Sequence, residues 1–408
     1  MIKKIIISAC LFLSLVSFAQ EGTASPYSFY GIGDVRFKGA SENRSMAGLS
    51  IAPDSIHINL QNPAGYSDLK LTSFALGGTY NTTSQKTDSK SGSARRTTLD
   101  YLAVGLPLGK LGMGFGLIPY SSVGYKIKTV NVDGISKILE GSGGMNKVFL
   151  GFGYKLGTNL SLGADAQYNF GKIKTTSFEL DSDVINGTSE VNTSILSGIN
   201  FNIGVMYQAK INKKMTFFSS LSYTPESTLA SQNTREISNS FDSPYTQDDA
   251  RSLKLPSKLS FGAGVGEIRK WLVGAEVSLQ NTGNLVNFYN EVNNPAYNVV
   301  YGKSSKYSIG GYFIPNYKSY TSYAKRITYR GGLKYEKTGL VINSESINDI
   351  GLTLGIGMPL SGTFSNINFG FELGKKGTTA ANLVQENYAN INIGFSLNEK
   401  WFEKRKYN

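Results

Sequence analysis

The sequence predicts an all-β protein, a 14-stranded antiparallel transmembrane β-barrel with an N-terminal plug inside its lumen, on three observations. Segments of about ten residues alternate apolar with small or polar side chains. Their connections alternate between short turns and long polar stretches. Roughly fifty residues ahead of the first such segment fit neither a strand nor a long helix.

The chain opens with "MIKKIIISACLFLSLVSFAQ", in which Lys3 and Lys4 precede an apolar core and small residues Ser17 and Ala19 flank a cleavage site. Residues 1–19 therefore read as a secretory signal peptide, with Gln20 as the mature N-terminus, and the apolar run is too short to be kept as a transmembrane helix. "ISAC" at 7–10 faintly suggests a lipoprotein box, but only a few apolar residues precede it and a better core follows. The one cysteine, Cys10, lies in the signal, so the mature chain forms no disulfide or thiolate site.

Residues 20–69 form the expected plug. "SPYSFYGIGDVRFKGASENRSMAGLSIAP" is too apolar for a free tail and too irregular for a strand. Near its end, Asn62 can cap a turn, Pro63 presets φ and Gly65 tolerates the exit, making a fixed corner of Asn62, Pro63, Ala64 and Gly65.

Residues 70–397 form the expected barrel, with strands near 71–81, 97–107, 111–128, 145–156, 160–180, 197–211, 215–228, 255–267, 270–280, 305–314, 326–337, 350–359, 365–374 and 387–397. In the last of these, Ile391, Ile393, Phe395 and Leu397 oppose Asn390, Asn392, Gly394 and Ser396. A soluble sandwich also alternates, so the direction of the apolar face decides the fold. The opposite face carries glycine, asparagine, glutamine and the acids Asp165, Glu276 and Glu372, where a sandwich exterior would show Lys, Glu and Thr. Lipid on the apolar side and a roomy polar lumen account for that. Short turns are expected at 108–110, 157–159, 212–214, 268–270 and 361–364, facing the periplasm, and long external loops around 82–96, 129–144, 181–196, 229–254, 281–304, 338–349 and 375–386. The Tyr-rich connection 315–326 breaks the rule, being long on the short-turn side. Residues 398–408 read as a basic periplasmic tail.

After signal removal 39 basic residues face 29 acidic ones, a formal charge of +10. The excess is scattered and matches no nucleic-acid motif, though exposed cations can pair with phosphates of outer-membrane lipid and glycolipid. His57 is the only histidine, which excludes a multi-histidine metal cluster; it reads as a plug residue satisfying a local hydrogen bond, and no cofactor or enzymatic activity is expected.

"SENRSMAGLSIAPDSIHINLQNPAGYSDLKLTSFALGG" (41–78) resembles the N-terminal region of FadL-like outer-membrane transport proteins, through Met46-Ala47-Gly48, Asp54, Asn62 to Gly65 and Leu69. "SPYSFYGIGD" and the tail are similar to a Bacteroidetes-type branch of that family. The resemblance implies a monomeric barrel, integral to the outer membrane of a Gram-negative cell, that passes long-chain fatty acids or other hydrophobic small molecules beneath the plug and sideways through a bent third strand. Gly112, Gly114, Gly116, Pro119 and Gly124 make this chain's third strand the one most able to bend. The alternative is a non-transporting barrel that serves as a docking subunit of an outer-membrane secretion or assembly complex.

Overall fold

The computed structural model describes residues 22–130, 136–180, 187–239, 244–281 and 299–400. The signal segment, the tail beyond Lys400 and most of the 281–304 connection lie outside the described residues.

The wall is a closed antiparallel ring of fourteen strands. In chain order these are β2 (Thr72–Lys86), β3 (Ser91–Leu108), β4 (Leu111–Val130), β5 (Ser136–Leu156), β6 (Leu160–Leu180) and β7 (Thr188–Lys210). Next come β8 (Thr216–Thr224) with β9 (Ser227–Ser238), and β10 (Tyr245–Leu255) with β11 (Lys258–Glu267). Each of these pairs is one wall strand interrupted at a proline, Pro225 or Pro256, which has no N–H to give a ladder. Then follow β12 (Trp271–Gln280), β13 (Val299–Tyr301) with β14 (Ser304–Phe313), β15 (Thr328–Ile342), β16 (Glu345–Pro359), β17 (Asn366–Lys376) and β18 (Gln385–Glu399). Pairing of β18 with β2, from Gln385↔Lys86 to Glu399↔Thr72, closes the ring. The last strand runs two residues into the stretch read as tail.

The apolar face looks outward. Ile391 and Ile393 are 48% and 37% exposed while the intervening Asn392 is 1% exposed, and the same holds for Ile199, Phe201 and Ile203 against buried Asn200 and Asn202. An outward apolar band and an inward polar one exclude a soluble sandwich.

The expected long loops are largely strand. Residues 82–96 form a hairpin with β2 and β3 running to Lys86 and from Ser91. Residues 229–254 are mostly β9 and β10 in register, and 338–349 is the β15–β16 hairpin, turning at Asn343 and Ser344 with φ of 52° and 67°. Beyond the lipid band both faces of a strand are wet, so alternation fades although the backbone ladder continues.

Residues 22–71 pack against inward-facing residues of the wall. Ala24 and Ser25 meet Gln85 and Glu386 at the long-loop end, and Asp68 pairs with Lys155 beside the turn at 157–159, so the segment's contacts run the height of the wall. Its local elements are 3-10 turns at Pro26–Phe29 and Pro63–Asp68, a helical turn at Ser41–Arg44, and the two-residue strand β1 (Asp34–Val35).

Candidate functional site

The joint between the N-terminal segment and the wall begins at the NPAG corner. Asn62 is the N-cap of the Pro63–Asp68 turn: its Oδ1 accepts from Ala64 N at 3.0 Å, and Pro63 holds the first helical position. The same side chain, 1% exposed, donates through Nδ2 to Ser220 Oγ at 2.9 Å and to the Val205 and Leu221 carbonyls at 3.1 Å. One amide thus caps the turn and ties it to β7 and β8.

Inward-facing glycines make room for this turn. A Cβ on Gly112 would overlap the Tyr66 carbonyl, on Gly153 it would lie 2.6 Å from Pro63 O, on Gly163 it would overlap Ala64 N, and on Gly204 it would overlap Asn62 Oδ1. The wall from β4 to β7 is therefore a smooth backbone surface moulded to Pro63–Asp68, and Tyr66 is 1% exposed against it. Across the lumen the Met46-Ala47-Gly48 stretch repeats the device. Ala47 and Gly48 close the helical turn with φ of 58° and 90°, and Gly310 and Gly332 receive the Met46 backbone. Ala47 N donates to Thr353 Oγ1 at 2.9 Å, and its carbonyl accepts from Ser308 Oγ at 2.9 Å.

Charge fixes the middle of the segment. Glu372, on β17, receives Arg44 Nε at 3.1 Å, Lys334 Nζ at 2.6 Å and Asn390 Nδ2 at 3.1 Å. Arg44 also reaches Asp100 at 3.2 Å, and Glu276 accepts from Ser50 N at 2.9 Å. Asp165, the third acid picked out from the sequence, accepts from Asn202 at 3.0 Å. All three acids face inward as lumenal anchors.

His57 bridges Asp54, at 2.8 Å, and Glu42, at 3.4 Å. Burial disfavours its charged form, but the two carboxylates outweigh that and raise its pKa above the ordinary value near 6.5. Asp54, whose carboxyl burial would raise, is instead held well below its usual range by the His57 charge and by hydrogen bonds. A group whose folded pKa is raised contributes its stabilisation below the unfolded pKa and loses it as pH rises through the folded one. Proteolysis within 40–65 should therefore accelerate as pH rises from about 6.5 past the raised value, and His57→Gln should abolish that pH dependence. A profile that is flat in the wild-type protein contradicts this assignment.

The residues expected to gate the third strand occupy several settings. Gly112 and Gly114 face the Tyr66 backbone and ring, Gly116 abuts the β3 backbone at Leu102, and Gly124 N donates to Ser28 Oγ at 3.1 Å. Pro119 marks a register shift against β5. Pairing of β3 with β4 ends at Leu102↔Leu117, so the upper halves of these strands part. The plug strand β1 occupies the freed edge of β4, with Asp34↔Ser122 and Val35↔Ser121 in antiparallel register, and Val35 is 53% exposed. Sequence periodicity held no signal for this split, because residues 91–98 of β3 are small or polar throughout and 119–122 interrupt the alternation of β4.

A lumenal cavity of about 470 Å³ remains beside the segment. Lys38, Lys147, Lys258 and Lys306 line it together with Glu276 and Glu336. Burial lowers the Lys38 pKa. Tyr30, Phe37, Ile118, Tyr120 and Leu340 also line it, so the wall is mixed, with apolar surface beside the charged groups.

The structure is similar to the Pseudomonas putida toluene transporter TodX, with a TM-score of 0.59 and 15% identity over 90% of this chain and 98% of that one. It is also similar to a Pseudomonas aeruginosa FadL homologue, with a TM-score of 0.58 and 10% identity over 89% and 98% of the two chains. At such identities the likeness establishes the fold alone. No curated protein sequence matches. The family described as BamG matches residues 1–408.

Proposed function

The chain belongs to the BamG family of FadL-like outer-membrane barrels, and from that premise we propose that it is a closed barrel acting as a subunit of an outer-membrane assembly complex, with residues 22–71 as its permanent plug. The single observation that carries this reading is the way the segment is held: its contacts run the height of the wall, and it is fixed at the NPAG corner, the Met46-Ala47-Gly48 stretch and Glu372 to strands all round the wall. A plug that must move aside for cargo would break these contacts together. The family name supports the same reading, since it fits a complex subunit better than a free carrier. Placement in the outer membrane and membership of the Bacteroidetes-type branch are parts of the proposal.

The parted upper halves of β3 and β4 favour a second reading, passive uptake of hydrophobic molecules such as long-chain fatty acids with lateral exit at Pro119. In that case Asn62 to Gly65 would set the plug and Gly112 to Gly124 the gate. Uptake of labelled fatty acids of several chain lengths and of toluene separates the two. A strain lacking the protein should match its parent for every compound; a tenfold loss restored by complementation would overturn the subunit reading in favour of the carrier.

A further inference from the structure

The short-turn rim of the barrel is asymmetric. Three hairpins adjacent in the ring, β7–β8, β11–β12 and β14–β15, are neighbours through Gly266↔Thr216 and Trp271↔Phe313. Their turns carry Lys213 and Lys214, then Arg269 and Lys270, then Lys318, Lys325 and Arg326. The one acid at these turns, Glu267, is bound to Lys270 at 3.0 Å. Elsewhere on the rim, the turns at 157–159 and 361–364 carry no charge, the turn at 108–110 carries a single lysine, Lys110, and Lys155 is turned inward to Asp68.

The third of these turns is also the long one. Residues 314–327 form an ordered excursion, fixed by Ile314 N to Lys270 O at 2.6 Å, Asn316 N to Lys325 O at 2.8 Å and Tyr323 Oη to Pro359 O at 3.1 Å. The excursion holds aromatic rings in the open: Tyr320 is 100% exposed, and the Arg269 guanidinium sits 5.0 Å from the Tyr317 ring centroid. Tyrosine and arginine together on a preorganised loop are the composition of a protein contact centre, and cations on one arc set the sign of what they meet. Lipid surrounds a barrel on every side and would call for cations around the whole circumference, whereas seven of these are gathered on one arc.

We infer that this arc, Lys213 to Arg326 with Tyr320 at its crest, is the docking surface for an acidic face of a periplasmic protein. The inference rests on the subunit reading and gives the partner its chemistry and its place.

The full chain in its native outer membrane, carrying a photo-crosslinking residue at Tyr320 or, as a control, at Thr158, tests it. At position 320 the expected product is one identified protein, joined through a peptide rich in Asp and Glu, with none at 158. Lys213→Glu/Lys214→Glu/Arg269→Glu should lower that yield at least tenfold while the heat-modifiable barrel persists. If that variant does not fold, added salt should lower the wild-type yield at 320 in the same way. Crosslinks to lipid alone, or a yield indifferent to both charge reversal and salt, would overturn the assignment. A partner that co-purifies but crosslinks elsewhere refutes the docking surface and spares the subunit reading; absence of any co-purifying partner refutes the subunit reading itself.

Discussion

Replacing Gly163 with valine should release the N-terminal segment from the wall while the barrel stays closed. The new side chain would enter the space held by the Ala64 amide and the Pro63 carbonyl carbon, which are backbone and cannot rotate away. Overpacking of this kind costs about 1–3 kcal/mol even where side chains can yield. Displacing the turn also uncovers Tyr66, and a buried tyrosine of about 200 Å² contributes roughly 5 kcal/mol. A loss of about 3 kcal/mol or more corresponds to over a hundredfold faster cleavage within 40–65, since each 1.4 kcal/mol is a factor of ten. The fourteen-strand ladder does not depend on the turn, so heat-modifiable migration should persist. Gly92→Val is the matched control, because nothing lies within 4 Å of a Cβ there. Limited proteolysis of the two variants side by side decides the matter, and equal protection in both contradicts the docking of the turn on the glycines.

Glu372→Ala should be the most damaging single change to the lumenal charges. The carboxylate is buried and shared by Arg44 and Lys334, so its removal leaves two half-buried cations short of a partner. Breaking such a group costs about 3–5 kcal/mol where no substitute partner exists. Arg44 keeps Asp100 and Lys334 keeps Asp349, which places the expected loss at the lower end of that range. Urea unfolding followed by heat-modifiability measures it. Combining Glu372→Ala with Arg44→Met should cost less than the sum of the two single changes, because the pair is in direct contact. Additive losses would mean that Arg44 is held by packing and not by this carboxylate.

Much of the wall was legible in the sequence because its rule is local. Ile391 and Asn392 differ in solvent environment at a spacing of one residue, and period-two alternation records that directly. The NPAG corner was legible for the same reason, since Asn62, Pro63 and Gly65 each act within one turn. The joint was not, because it is assembled from distant residues: Arg44 meets Glu372 328 positions away, and Asn62 meets Ser220 158 positions away. Nor does a wall glycine announce what it faces. Gly112 and Gly114 invited a reading as hinges, and in the structure they lie beneath Tyr66. The upper strands escaped notice where water on both faces removed the alternation, and the interruptions at Pro225 and Pro256 were hidden inside segments that read as continuous.

We propose that this barrel, with residues 22–71 as its plug, works as part of a complex and not as a free carrier. The most direct measurement is native mass spectrometry of the full chain extracted from its own outer membrane in mild detergent. A stoichiometric assembly in which the barrel is bound to an identified protein partner is expected. A solitary barrel that carries a fatty acid or a similar hydrophobic molecule as its sole companion would contradict it.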